Sequence, residues 1–286
     1  MERADQGEIL APGLYFVATP LGNARDITLR ALDILGQAEV LAAEDTRRLR
    51  QLMDIHGVAL AGRRILAYHD HNGPAARPGL LAALADGKSV AYVSDAGSPL
   101  VADPGFVLAR EAIEAGAEVN AIPGPSAVVT ALTVAGLPTD RFTFAGFPPP
   151  GETARKTFFE TLGASPGTLI IYESPKKIAA SLGAAAETLG GDRPAVLARE
   201  LTKKFEEVRR GTLSSLVESV AKEPPRGEIV LCIGEGEKTV DPQALETALK
   251  TAMQDMRLKD AAREVAEAFG VSKRDVYQLG LSFPKL

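Results

Sequence analysis

At 286 residues, 45% hydrophobic and 24% charged, the chain carries apolar material for one large core or two modest ones, and no apolar run long enough to span a bilayer. A formal charge of −5 argues against indiscriminate binding to nucleic acid, while leaving room for a local basic patch. The one cysteine, Cys232, cannot form an internal disulfide, which fits a reducing compartment, most simply the cytoplasm; with one cysteine and only three histidines no metal cluster is expected. The first half then alternates. Gly13–Thr19 reads as a buried strand, and "ITLRALDILG" has helical spacing with Asp26 as its expected N-cap. "EVLAAE" is strand-like, "TRRLRQLMDIHG" is a helix ending at Gly57, and "RRILAYH" is a strand. "PGLLAALADG" is a helix stopped by Gly87, and "SVAYVS" is a strand. Next, "DPGFVLAREAIEAG" is expected to take Asp103 as N-cap and Pro104 as its first helical residue; "AEVNAI" is a further strand. Strands alternating with helices of this length imply a mostly parallel sheet.

After "PGPSAVVTALTVAG" the pattern restarts. "RFTFAGF" reads as a strand, "PPPGETARK" as a turn cluster, and "TLIIYE", "AVLARE" and "GEIVLCIG" as three more strands. Helices "KKIAASLGAAAETLG" and "TLSSLVESVAK" lie between them. From about Glu237 no strand-like run remains, and "LKDAAREVAEAFGVSKRDVYQLGL" reads as two short helices around the turn "FGVS". The expected organisation is an α/β domain over 1–127, a second α/β domain over 128–236 and a small helical appendage over 237–286.

Three irregular segments leave strands of the first domain: "TPLGNARDIT", "SDAGSPLVADPG" and "IPGPSA". Loops at the carboxyl ends of parallel strands gather on one edge, where ligands bind. Their Gly and Pro let backbone groups face a ligand, although each loop read singly is an ordinary tight turn. The first has only Gly22 and fails the G-x-G-x-x-G test, and no Walker sequence is present.

These segments, with "EDTR" (Glu44–Arg47) and "ESPKKI" (Glu173–Ile178), resemble the signature set of the tetrapyrrole-methylase-like family of S-adenosylmethionine-dependent methyltransferases. Within that family they resemble the branch acting on ribosomal RNA. One departure is Ser98 before Pro99, where many tetrapyrrole methylases carry an acid; here an acid stands earlier, at Asp95. The resemblance implies two α/β domains in tandem with the cofactor in the cleft between them, the class III methyltransferase architecture. It implies S-adenosylmethionine as cofactor, held by Pro20, Ser98, Val101, Ser126, Ala127, Tyr172 and Ala198. It further implies a cytoplasmic homodimer that methylates a cytidine ribose 2′-oxygen in the decoding region of 16S rRNA, within the assembled small subunit. Alternatives are a small-molecule (tetrapyrrole) methyltransferase, a methyltransferase acting on a protein, and a non-catalytic nucleotide-binding scaffold.

A 2′-hydroxyl needs a base, or a cation that stabilises the developing alkoxide. Asp95 is the leading candidate, its plainer role being a turn acid bonded to its own backbone two residues on. Glu44 is next, with Asp45 readable as a helix N-cap, and His69 and His71 stand at a strand end. Lys203 reads either as the cation or as an exposed partner of Glu206 or Glu207. For RNA contact the candidates are Arg47, Arg48 and Arg50, with Arg155 and Lys156 after "PPPG"; Arg63 with Arg64 and Arg209 with Arg210 are further local pairs. Each of these also reads as a solvated face.

Overall fold

Strands β1 (Gly13–Val17) and β4 (Ser89–Val93) are buried at every position. They lie next to each other in a five-stranded sheet ordered β3-β2-β4-β1-β5, with β2 at Val40–Ala43, β3 at Ile65–Ala67 and β5 at Val119–Ile122. All its pairings are parallel, and both faces are covered, which is why the central strands read as continuous apolar runs. Helices α1 (Leu29–Gln37) and α2 (Thr46–Ile55) cover one face, where Leu35, Leu49 and Met53 meet Val17, Leu41 and Val93. The opposite face is covered by α3 (Gly73–Ala85) and α4 (Phe106–Glu114), where Leu80 and Leu108 meet Leu14, Phe16 and Tyr92. The chain therefore leaves β1 toward one face and the adjacent β4 toward the other. A crevice opens at their carboxyl ends, the place such sheets use for ligands.

The structure, a computed structural model, describes residues 10–69, 71–102, 104–163, 165–236 and 242–283. Three helix starts differ from expectation. Asp26 closes a short 3-10 turn, Ala24–Asp26, and α1 begins only at Leu29, because Ile27 and Thr28 are extended; the Thr28 hydroxyl accepts the Ala31 N–H at 3.1 Å as its cap. Pro104 does not open α4. Gly105 is the N-cap at φ 118°, and a Cβ there would lie 2.8 Å from Leu100 Cδ2, so the turn needs glycine. The expected cap Asp103 lies outside the described residues. Helix α3 starts at Gly73 and runs through Pro78, giving up one backbone hydrogen bond.

A second sheet is ordered β6-β7-β10-β8-β9: Phe142–Phe144, Thr168–Glu173, Ile229–Ile233, Pro194–Arg199 and Glu207–Thr212. β6 and β7 are parallel; the other pairs are antiparallel. Helices α6 (Glu152–Gly163), α7 (Ile178–Leu189) and α8 (Leu213–Lys222) bury Phe159, Leu182 and Leu216 against one face. α5 (Ala127–Ala135) covers part of the other, packing Ala131 and Leu132 near Ile170, Val196 and Cys232. Both β9 and α6 correct the sequence reading. β9 is a charged edge strand, and α6 begins one residue past the "PPPG" turn.

The chain divides into two compact units, Met1–Glu235 and Gly236–Leu286. In the second, α9 (Pro242–Asp255), α10 (Leu258–Phe269) and α11 (Lys273–Leu281) share a core of Leu249, Ala261, Ala262, Val265 and Val276. Three helices thus stand where two were expected. The turn after α10 is made by Gly270, at φ 63°. Among the described residues no helix is long and apolar enough to cross a membrane.

Candidate active site

Within the first unit, a cleft of about 450 Å³ lies between the carboxyl-edge loops of the first sheet and strand ends of the second. Its first-sheet wall is made by stitching. Thr19 and Gly97 exchange both backbone hydrogen bonds, at 3.0 and 2.9 Å. The Ser94 hydroxyl donates to the Gly97 carbonyl at 2.7 Å, the Thr19 hydroxyl to the Ser94 carbonyl at 3.0 Å, and the Ser98 hydroxyl to the Pro125 carbonyl at 3.1 Å. The loops after β1, β4 and β5 thus form one surface. Gly97, at φ 78°, permits the approach: a Cβ there would sit 3.1 Å from Leu21 Cδ2. Leu100 (φ 68°) and Ala102 (φ 59°) hold the left-handed conformation without being glycine, at a cost of about 1–2 kcal/mol each. Ser98, Val101, Ser126 and Ala127 all line the cleft.

The acids come next. Asp95 does not close its own turn. Its Oδ1 accepts the Asp45 N–H at 2.8 Å, and its Oδ2 lies 3.7 Å from Arg48 Nε, which binds the loop after β4 to the segment after β2. Glu44, Arg48 and Asp95 meet on the cleft wall. Asp45 caps α2 by accepting the Arg47 N–H at 2.9 Å and also holds the Arg47 guanidinium. Hydrogen bonding to the Arg47 side chain, then to its backbone, pulls the Asp45 carboxyl down to about 2. Neither His69 nor His71 lines the cleft.

The second-sheet wall carries Tyr172, whose ring packs on Phe144 at 4.7 Å and on the exposed Phe147 at 5.7 Å. Beside it the buried Glu173 accepts the Ser174 N–H at 2.7 Å and the Ser181 hydroxyl at 2.5 Å. Sequence reasoning quoted Glu173 within a motif and gave it no role. The available signal was an acid ending an apolar strand. Ala198 does not reach the cleft surface: it is fully buried in the layer under α5, and Val230, its partner in register, lines the cleft instead.

Lys203 stands at the rim. Its Nζ is 2.9 Å from both Glu200 and Glu228, and Glu228 lines the cleft. Burial works against the ammonium, but hydrogen bonds to Glu228 and Glu200 outweigh it and raise the Lys203 pKa. Glu206 and Glu207 are not its partners: Glu206 accepts the Thr202 N–H at 2.5 Å, and Glu207 binds Arg199 and Arg209. The Lys203 stem crosses Gly22, where a Cβ would lie 2.1 Å from Lys203 Cγ, and the Asn23 N–H donates to the Thr202 hydroxyl at 3.2 Å. The loop between β8 and β9 is thereby latched onto the loop after β1.

The remaining candidates lie elsewhere. Pro20 faces an adjoining hollow on the other side of Asp95 and Arg48. Arg47 and Arg50 line a third hollow beside α2. Arg155, expected at an RNA groove, is 6% exposed, with Nη2 donating to the Pro150 carbonyl at 2.8 Å. Lys156 is held by Glu187 at 2.9 Å and Glu152 at 3.2 Å. Neither presents a free cation.

A doubly covered parallel sheet faces a mixed sheet across a loop-lined cleft, an arrangement suited to a small-molecule cofactor. Residues 13–217 match the family described as Tetrapyrrole (Corrin/Porphyrin) Methylases, and the chain belongs to that family. Among its relatives, a Ribosomal RNA small subunit methyltransferase I from Mesorhizobium japonicum is 50% identical over 271 residues, covering 94% of this chain and 91% of the relative. A protein of the same name from Vibrio cholerae is 42% identical over 277 residues, covering 95% of each. Residues 239–283 match a domain described as the RsmI C-terminal HTH domain. Fold likeness extends to a diphthine synthase (TM-score 0.61, 16% identity, 77% of this chain and 89% of that one). It extends also to the uroporphyrin-III C-methyltransferase of Thermus thermophilus complexed with S-adenyl homocysteine (TM-score 0.55, 20% identity, 78% and 97%).

Proposed function

We propose that this chain transfers a methyl group from S-adenosylmethionine to the 2′-oxygen of a cytidine ribose in the decoding region of 16S rRNA, acting on the assembled small subunit. The observation that carries the reading is 50% identity, over nearly the whole chain, to a ribosomal RNA small subunit methyltransferase I. The cleft fits the cofactor. About 450 Å³ is within the usual range for a small-molecule site, and its wall combines hydroxyls, a strained loop and an aromatic face. Ser98, Val101, Ser126, Ala127 and Tyr172 would hold the cofactor, with Val230 and Leu201 walling the side first assigned to Ala198 and Pro20 bordering from the adjoining hollow. When bound, S-adenosylmethionine supplies an electrophilic methyl on a sulfonium.

The protein's task is to align the acceptor oxygen, exclude water and take up the hydroxyl proton. Alignment alone is worth several kcal/mol. Asp95 is the proposed proton acceptor, with Glu44 beside it on the same wall; each is a carboxylate able to take the proton as the oxygen becomes nucleophilic. Lys203, its charge met by Glu200 and Glu228, has a proposed role in closing that edge of the cleft through the latch it forms with them. The reading includes a cytoplasmic homodimer and three domains, 1–127, 128–236 and 237–286. Packing of α5 on the second sheet supports the first boundary.

Nucleoside mass spectrometry of rRNA from cells with and without the gene tests the proposal. A single 2′-O-methylcytidine should vanish with the gene and return when purified chain acts on small subunits. A methyl on the base would overturn the chemistry, and equal activity on protein-free rRNA would overturn the particle requirement.

A further inference from the structure

We propose that the hollow beside α2 is a phosphate-binding exosite, in which Arg50 and Arg64 grip the RNA strand flanking the target nucleotide. The inference rests on the functional reading above and adds where the substrate is held. The hollow, about 550 Å³, brings four guanidinium-bearing side chains together with one carboxylate, Asp54. Two of the four are already engaged. Arg47 is bound to Asp45, and Arg63 donates to the carbonyls of Leu35, Ala38, Ala59 and Leu60 at 2.6 to 2.9 Å. Arg50 and Arg64 are exposed, and among the described residues neither has an ion-pair partner. On a chain whose net charge is −5, a concavity lined by unneutralised cations focuses positive potential at one place. Two forked donors of this kind suit phosphodiester oxygens.

Position gives the second argument. Gln51 and Ile55 line both this hollow and the neighbouring one that contains Pro20. That neighbour shares Arg48 and Asp95 with the cleft. The three hollows therefore follow one another around α2 through shared walls, from Arg64 to the carboxylate proposed to accept the proton, and together they make the proposed trough. Ten residues of α2 extend about 15 Å, so a strand following the helix runs past it for a few nucleotides at most. A strand lying in the trough would have its backbone fixed by arginine while its target ribose enters the cleft; such contacts position the substrate and do not read sequence.

The test compares wild type with the Arg50→Gln/Arg64→Gln double variant and with Lys222→Gln, an exposed cation on α8, as a charge-loss control. Affinity for small subunits and for protein-free 16S rRNA is measured over a series of salt concentrations, with S-adenosylmethionine binding and circular dichroism as checks of integrity. Loss of two phosphate contacts should weaken binding of both RNAs roughly tenfold at low salt and flatten the plot of log affinity against log salt by about 1.5. The Lys222→Gln control should match wild type. Unchanged affinity and slope in the double variant overturn the exosite. So does weakening confined to the assembled subunit, which would mean that the arginines meet an acidic ribosomal protein. If wild type itself methylates no ribosomal RNA, the functional reading falls, an outcome separate from a variant that binds like an active wild type.

Discussion

Gly22→Ala is the sharpest test of the latch. The backbone at Gly22 is not in the left-handed region, so alanine is conformationally acceptable there. The obstacle is Lys203, whose Cγ lies 2.1 Å from the site of the new methyl. Reaching an ordinary carbon contact of ~3.5 Å requires about 1.4 Å of movement near the root of the side chain. Nζ cannot stay 2.9 Å from both Glu200 and Glu228 through such a shift unless one loop withdraws. A charge-assisted hydrogen bond contributes about 1.5–3 kcal/mol. Lys203 and Glu200 side chains are 27% and 20% exposed, so water replaces part of what is lost, leaving a cost of about 1–2 kcal/mol. For a unit of this size that lowers Tm by roughly 2–8 °C. The assay is thermal unfolding of Gly22→Ala, Lys203→Ala and the double variant, read as a double-mutant cycle. With the lysine stem gone, the three nearest contacts of the extra methyl go with it, so the double variant should be no less stable than Lys203→Ala. Additive losses would show that Gly22 is needed for some other reason and that the crossing does not hold the loops together.

Three further outcomes are expected. Asp95→Asn keeps an oxygen for the Asp45 N–H but cannot take a proton, whereas Asp95→Ala loses both functions; if Asp95 is the base, both lower the single-turnover rate by about a hundredfold or more, and near-wild-type Asn activity would make it a positioning group. Ser126→Trp puts a large ring into the cleft at the start of α5 and should abolish S-adenosylmethionine binding in calorimetry with circular dichroism unchanged; normal binding would mean that the cofactor lies elsewhere. Burial pushes the Cys232 thiol up to about 12, above its unfolded value, so its stabilising contribution is intact below the free-thiol range and lost as pH rises toward that value. The native chain should accordingly resist Ellman's reagent at pH 8 and react fully in urea; fast native labelling would contradict the packing around β10.

Continuous apolar runs made β1 and β4 legible, because a doubly covered parallel sheet leaves little else for such runs to be. β9 was not legible: "EVRRGT" carries charges on an edge, where only one side is paired and solvent reaches the other. The three loops on the first sheet's edge were legible through Gly and Pro, and five residues named from them, Asp95, Ser98, Val101, Ser126 and Ala127, share the cleft. What the sequence concealed is pairing over distance. Asp95 looks like a turn acid until the topology brings the Asp45 N–H to it, and Lys203 looks like a partner for Glu206 until its stem is seen over Gly22. α9 is a different case. Leu245, Ala248, Leu249 and Ala252 already follow helical spacing, and the signal was present but unread.

The strain in the chain is concentrated where alignment matters. Five non-glycine residues among those described have positive φ, and four of them, Leu100, Ala102, Glu200 and Thr202, lie on loops at the two sides of the cleft. Such conformations cost of order 1–3 kcal/mol each and persist only where the surroundings over-determine them. Here the surroundings can be named. The Thr19–Gly97 backbone pair and the Ser98–Pro125 bond hold one side, while Lys203 and the Glu228 N–H, both bonded to the Glu200 carboxylate, hold the other. These ties exist without any ligand, so binding need not reorganise the loops, and charges already in place lower a barrier more than charges that must move. Arg50 and Arg64 show the opposite arrangement, with exposed side chains that have no ion-pair partner among the described residues. A site that must align an oxygen within a fraction of an ångström benefits from rigidity. A surface proposed to admit a polyanion of variable path has less need of fixed side chains, and the cleft residue Arg48 and the proposed phosphate contact Arg50 both stand on one helix, α2.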